Sequence, residues 1–303
     1  MTFFPGWSYR PDDIAAAHDR MAAAGRLVAG GNSSFSGAWD ASVQRGGVTK
    51  FLACEVDPFR GEKAYRQSTG VCTSMIYRAI QDCFNWDRVK FGCISRPVRI
   101  AFEPIFAGSR VAVGRGQLGM SDGSIGAWIA EWLATYGVIE RGVYGGVDLS
   151  QPNEELAQYW GRPNVGVPKA VYSPGATHRL RAHLCRSTSE LADALACGMF
   201  GGICRSHYAS RVDSEGFARF DNPGGHHTCI RGAFIDRRGN TRVFVEQQSH
   251  GSGVPDPRPI ARTTEGDIEL GDGAYCVRED DIARFIRSGE VWVFQPIEGE
   301  EFR

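Results

Sequence analysis

Helical spacing of apolar residues dominates the first half of this chain, and strand-like runs dominate the second. From Thr73 to Phe84, the residues Met75, Ile76, Ala79, Ile80 and Cys83 fall at one another's i+3 and i+4 positions, which predicts a core-facing helix stripe. Ser124 to Tyr136 presents Ile125, Trp128, Ile129, Trp132, Leu133 and Tyr136 on one broad face and stops at Gly137, a second buried helix. An earlier helix opens at Arg10-Pro11-Asp12-Asp13-Ile14, runs Ala-rich to Ala24 and stops at Gly25. It carries few large apolar groups, so weak packing, or docking on something else, is expected of it. Ser187-Thr188-Ser189-Glu190 forms a capping box for a helix reaching about Cys197.

Beyond Gly198 the pattern changes to short strands and turns: Gly201 to Cys204, Phe217 to Phe220, Thr228 to Ile235, Thr241 to Glu246, Ala274 to Val277 and Val291 to Phe294. A helix from Glu279 to Ile286 interrupts them. Val48 to Val56, Val89 to Phe91 and Val98 to Phe102 also read as extended. Helices early and strands late predict an α+β fold in two lobes. The Gly-, Pro- and Asn-rich stretch 145–175 reads as the crossover between them. The expected organisation is an N-terminal arm over 1–45, with a loop at 30–37, then a helical lobe over 46–170 and a β-rich lobe over 171–303.

The length of 303 residues suffices for one large domain or two lobes. A net charge of −1 excludes non-specific attraction to nucleic acid or anionic membranes. No apolar run approaches the ~20 residues of a membrane span. The start, Met-Thr-Phe-Phe-Pro-Gly-Trp, lacks the basic and apolar regions of a signal peptide. A cytoplasmic origin, in a host cell or its virus, is therefore expected, with the arm held by the body of the protein or docked on a protein partner or assembly. Nine cysteines form an odd set without a CxxC pair, which argues for free thiols rather than a zinc ribbon. His178, His183 and His207 lack HxxxH or HExxH spacing, so neither metal nor cofactor is expected. The glycines of 111–119 spell GxGxxG, but Ser121-Asp122-Gly123-Ser124 intervenes before the next helix opens. They read as a loop, not a dinucleotide fingerprint. Arg205 to Arg219 reads as a solvated loop.

The chemistry begins in Arg66-Gln67-Ser68-Thr69-Gly70-Val71-Cys72-Thr73-Ser74. A polar loop delivers Cys72 to the first turn of a buried helix, where unpaired N–H groups and the positive end of the dipole lower a thiol's pKa. A buried structural thiol explains the position equally well. In Asp221-Asn222-Pro223-Gly224-Gly225-His226-His227-Thr228, two histidines follow a Gly-rich turn at the start of a strand. Alternation points them to opposite faces, so one at most serves a given cleft. A later strand ends in Gln247-Gln248-Ser249-His250-Gly251, and one of the two amides faces an imidazole by the same rule. Thiol, imidazole and orienting amide are the components of a Cys–His nucleophilic site.

In this order the motifs resemble those of the papain-like cysteine peptidases. Gly70-Val71-Cys72-Thr73-Ser74 is similar to that family's Gly-Ser-Cys-Trp-Ala, and Asp122 to Ala127 with its helix resembles the Gly-Gly segment and the helix behind it. Gly225-His226 with Gly232 resembles the histidine motif, and Gln248-Ser249-His250-Gly251 stands where the family has Asn-Ser-Trp-Gly. The similarity spans roughly residues 46–295. It implies a two-lobed papain-like fold, a peptide or protein substrate, Cys72 as nucleophile, His226 as acid/base, Gln248 as orienting amide and Gln67 at the oxyanion. The chain departs from the pattern at Thr73 and His250, where the family has Trp, and at Gln67, which lies five rather than six residues before Cys72. Two other readings stand beside it: a catalytically impaired papain-fold structural or assembly protein, such as a virion component, and a Cys–His–Asp transferase using Asp236.

Overall fold

The computed structural model describes residues 10–28, 36–44, 68–74, 80, 84, 98–172, 178–249, 260–264, 266–270 and 273–297. Gln67, His250, the Val48–Val56 and Val89–Phe91 segments, the loop at 30–35 and most of the stripe from Met75 to Cys83 lie outside them. The helices are α1 (Pro11–Ala23), α2 (Ala38–Gln44), a turn over residues 72–74 that opens the cysteine helix, α3 (Glu103–Gly108), α4 (Gly126–Thr135), α5 (Glu154–Trp160), α6 (Thr188–Ala196) and α7 (Glu279–Ser288). The main sheet holds β1 (Leu180–Leu184), β2 (Phe200–Tyr208), β3 (Asn222–Asp236), β4 (Thr241–Gln247), β5 (Ile260–Thr263), β6 (Gly266–Glu269), β7 (Ala274–Arg278) and β8 (Glu290–Pro296). Its order is β6-β5-β3-β2-β8-β1, with β4 on the far half of β3 and β7 on β4, and every pairing is antiparallel. The fold is α+β, as the order of patterns predicted.

The sheet lies between two layers of helix. Leu180, Ala182, Leu184, Phe200, Cys229, Trp292 and Phe294 turn to one face, against α1, α4 and the helical residues Ile80 and Phe84. Ile203, Ile230, Val291 and Val293 turn to the other, against α6 and α7. Period-2 alternation along each strand produces this two-sided burial. On α4 only small residues fit at the tightest approaches: a Cβ on Gly126 would lie 2.7 Å from the Cys204 sulfur.

Several expectations need correction. α1 packs closely on α4 through Ile14, Ala17 and Met21, and its alanines permit the approach. Arg20 Nε and Nη2 bind Glu131 at 2.9 and 2.7 Å, and the Val28 N–H donates to the Ala182 carbonyl at 3.0 Å. The body of the chain thus covers the helix that composition marked as loosely held. α3 lies just past the Val98–Phe102 run read as extended, and α5 lies in the stretch read as crossover; α3 is buried on all sides and so shows no periodicity. The sequence did carry a start signal for α5, since Asn153 caps it by accepting from the Leu156 N–H at 2.8 Å. The Ser187 half of the capping box of α6 forms as read, with Ser187 Oγ accepting from the Glu190 N–H at 3.1 Å, while Glu190 accepts from the N–H of Arg186, one residue before the cap, at 2.5 Å. β3 begins at Asn222, so the Gly-rich turn before the histidines is itself strand.

Candidate active site

Cys72 opens a helix and its residue is 0% exposed. The turn is tightly wound, because the Val71 N–H donates to the Thr69 carbonyl at 2.9 Å, and the N–H and Oγ of Ser74 donate to the Val71 carbonyl at 3.0 and 2.9 Å. Upstream, Glu154 at the start of α5 gathers the loop. It accepts from Ser68 N–H (3.0 Å to each oxygen), Ser68 Oγ (3.0 Å), Thr69 N–H (2.8 Å) and Thr69 Oγ1 (2.7 Å). Glu103 in turn fixes the start of α5, accepting from the Asn153 N–H at 2.7 Å and from Arg141 Nη1 at 2.9 Å. Neither carboxylate was singled out from the sequence. The acidic first turn after Asn153 was the available signal.

Both histidines lie inside β3 and are buried. Register separates them. His227 pairs with Cys204, and Cys229 with Gln247, so these four share the face that meets the cysteine helix. The Thr73 and Gly202 carbonyls face the His227 ring, and a Cβ on Gly202 would sit 2.2 Å from its Nε2. Burial first, and then the charge of Arg205, pull the His227 pKa down to about 3, with the two carbonyls opposing. The ring is therefore neutral across the physiological range. Cys204, on the same face, is within electrostatic reach of Cys72. Burial, Glu290 and Cys72 push its thiol well up, so it stays protonated.

His226 turns to the opposite face, with the Tyr208 ring edge-on at 6.3 Å. Gln247 Oε1 accepts from Arg231 Nη1 at 2.5 Å, which commits that amide elsewhere. Gln248 follows the last residue of β4, and its N–H donates to the Gly273 carbonyl at 3.0 Å. Beneath them lies a buried ionic cluster. Arg205 Nη2 pairs with Glu246 Oε2 at 2.7 Å and donates to the Tyr275 hydroxyl at 2.8 Å, while Nη1 donates to Thr228 Oγ1 at 3.0 Å. Thr228 and Tyr275 hydroxyls donate back to Glu246 at 2.7 and 3.0 Å, and the guanidinium lies over the rings of Phe220 and Phe285. The solvated loop expected from Arg205 onward is thus, at Arg205 itself, the most deeply held charge of the strand.

No family model matches the sequence, and no curated protein matches it at significant similarity. Among solved structures it is similar to xylellain, a cysteine protease from Xylella fastidiosa, at 16% identity over 80% of this chain and 86% of that one, with a TM-score of 0.50. The fold is papain-like. It is also similar to proCathepsin B S9 from Trypanosoma congolense (12% identity, 81% and 76% covered, TM-score 0.45). Digestive procathepsin L 3 of Tenebrio molitor larval midgut aligns at 12% identity over 95% and 94%, with a TM-score of 0.44.

Within this papain-like fold the cysteine turn and the histidine strand meet at Thr73 and His227, whereas His226, the histidine that the sequence resemblance favours, lies on the opposite face of the strand. Gln67 is outside the described residues. Asp236 stands at the far end of β3 with its carboxylate bound by Arg238 (Nη2 to Oδ2, 2.7 Å), so no Asp-based site forms around His226. Among the described residues, no three His, Cys, Asp or Glu side chains converge as a metal site. No helix among them is long and apolar enough to cross a membrane.

Proposed function

We propose that the protein is a papain-like thiol hydrolase, a cysteine peptidase cleaving amide bonds in peptide or protein substrates. In this reading Cys72 attacks the carbonyl carbon and His227, the histidine of the pair that faces the cysteine turn, protonates the leaving amine. Water then hydrolyses the thioester with His227 as base. Gln248 orients the imidazole, and the Cys72 N–H, with Gln67, receives the oxyanion. The observation that carries this reading is the junction of the cysteine turn and the histidine strand, where the His227 ring packs on the residue following Cys72. The lobes at 46–170 and 171–303 then carry nucleophile and acid/base respectively.

Burial favours a second reading, a catalytically impaired structural or assembly protein. Cys72 and His227 are both 0% exposed, so a substrate must displace whatever covers them. Alkylation with iodoacetamide separates the two. An enzyme shows Cys72 modified faster than the other cysteines, with a roughly 10²-fold or larger loss in His227→Ala and a smaller one in His226→Ala. Equal rates at all cysteines, or indifference to His227, leave the structural protein.

A further inference from the structure

We propose that Glu154 is a positioning residue for the oxyanion side of this site, holding the loop that delivers the Cys72 N–H. The proposal rests on the peptidase reading above. Glu154 is 9% exposed, and an ionised carboxylate out of water needs donors. Two backbone N–H groups and two hydroxyls of Ser68 and Thr69 supply them. Charge-assisted bonds of this kind are about twice as strong as neutral ones. The carboxylate's own stabilisation and the loop's position are therefore the same set of contacts. Little slack separates clamp from nucleophile, since Thr69, whose N–H and hydroxyl are held, accepts from the Val71 N–H, next to Cys72. The clamp has a firm base as well, because Glu103 and Arg141 fix the residue before Glu154.

The chemistry makes position matter here more than elsewhere. When the Cys72 sulfur bonds to the carbonyl carbon, the carbonyl π electrons move to oxygen, and the negative charge needs N–H donors at about 2.7–3.1 Å. A displacement near 1 Å costs about 10²-fold in rate. The thiolate itself depends on the helix start and the imidazole, so loosening the loop should weaken transition-state binding while leaving thiol reactivity intact.

The test uses the full chain and the variants Glu154→Gln and Thr69→Val, with three readouts: turnover of a peptide amide, alkylation of Cys72 by iodoacetamide, and affinity for a peptide aldehyde that forms a hemithioacetal at Cys72. Glu154→Gln is expected to lower kcat by roughly 10- to 100-fold with KM within about 3-fold. Aldehyde affinity should fall in step, and the alkylation rate should stay within about 2-fold of the parent. Thr69→Val, which removes one hydroxyl donor, should move the same readouts in the same direction by less, and it carries the test if Glu154→Gln does not fold. Parallel loss of alkylation and turnover, or a loss confined to KM, overturns the positioning role. If the unmodified protein shows no preferential alkylation at Cys72, the peptidase reading itself fails, before any Glu154 variant is compared.

Discussion

The cysteine turn and the histidine strand meet at Thr73 and His227, but different chemistry holds each of them. The turn depends on directional bonds from its own backbone to a carboxylate on a distant segment, Ser68 and Thr69 to Glu154, whose helix start is fixed in turn by the Asn153 N–H donating to Glu103. The strand depends on side-chain alternation, which sends His227 to one helix layer and His226 to the other, and on one ion pair, Arg205 with Glu246, sealed between sheet and α7. A polar substitution should therefore displace the turn locally, whereas loss of a charge should destabilise the strand and the whole domain with it.

The sharpest way to break that contrast is to remove the strand's charge. Arg205→Ala leaves Glu246 buried without its cation and should cost about 3–5 kcal/mol, read from urea unfolding. Replacing both members, Arg205→Met with Glu246→Leu, should recover most of the loss. A loss below about 1 kcal/mol in Arg205→Ala would mean that the ion pair does not hold the strand.

The next effect is pH dependence. His227 has a folded pKa of about 3 against an unfolded value of 6.5. Between these values the unfolded chain binds a proton that the folded one refuses. The stability linked to this group is present above pH 6.5 and is lost as pH falls toward 3, by up to about 1.4 kcal/mol per unit. Unfolding free energies measured from pH 7 to 4 should show this slope, and His227→Asn should flatten it. An unchanged slope would sink the assignment of a buried neutral ring.

Smaller still is the effect of crowding the junction. In Gly202→Ala the new methyl would sit 2.2 Å from His227 Nε2, so the ring must move. Overpacking of this kind costs about 1–3 kcal/mol. The ring's displacement should also shift the Thr73 resonance and slow alkylation of Cys72; a melt and alkylation rate equal to the parent's would show that the ring has room.

Much of the site was legible in residues taken singly or in short runs. Met75 to Cys83 and the polar loop before Cys72 announced a helix start at the cysteine, and the start is helical in the structure. The adjacency of His226 and His227 within one strand dictated opposite faces. Pro223-Gly224-Gly225 misled, because Pro and Gly punctuate strands; here Pro223 pairs with His207 beside a bulge in β2, where a missing N–H is tolerated. Arg205 misled for a similar reason. A charge beside a strand end reads as solvated, and the partner that permits its burial, Glu246, lies on another strand.

By itself the sequence determined the order of helices before strands, the helix start at Cys72 and the division of the two adjacent histidines between two faces. Those features are local, written in periodicities of 3.6 and 2. Only the tertiary structure decided that the face bearing His227 meets the cysteine turn, since alternation sets relative orientation and says nothing of what packs on either side. It likewise decided that Glu154, Glu103 and Glu246 each serve a segment far away in the chain. A contact between residues so separated leaves no periodic trace, and it exists only because the packed core brings the two segments within hydrogen-bond reach.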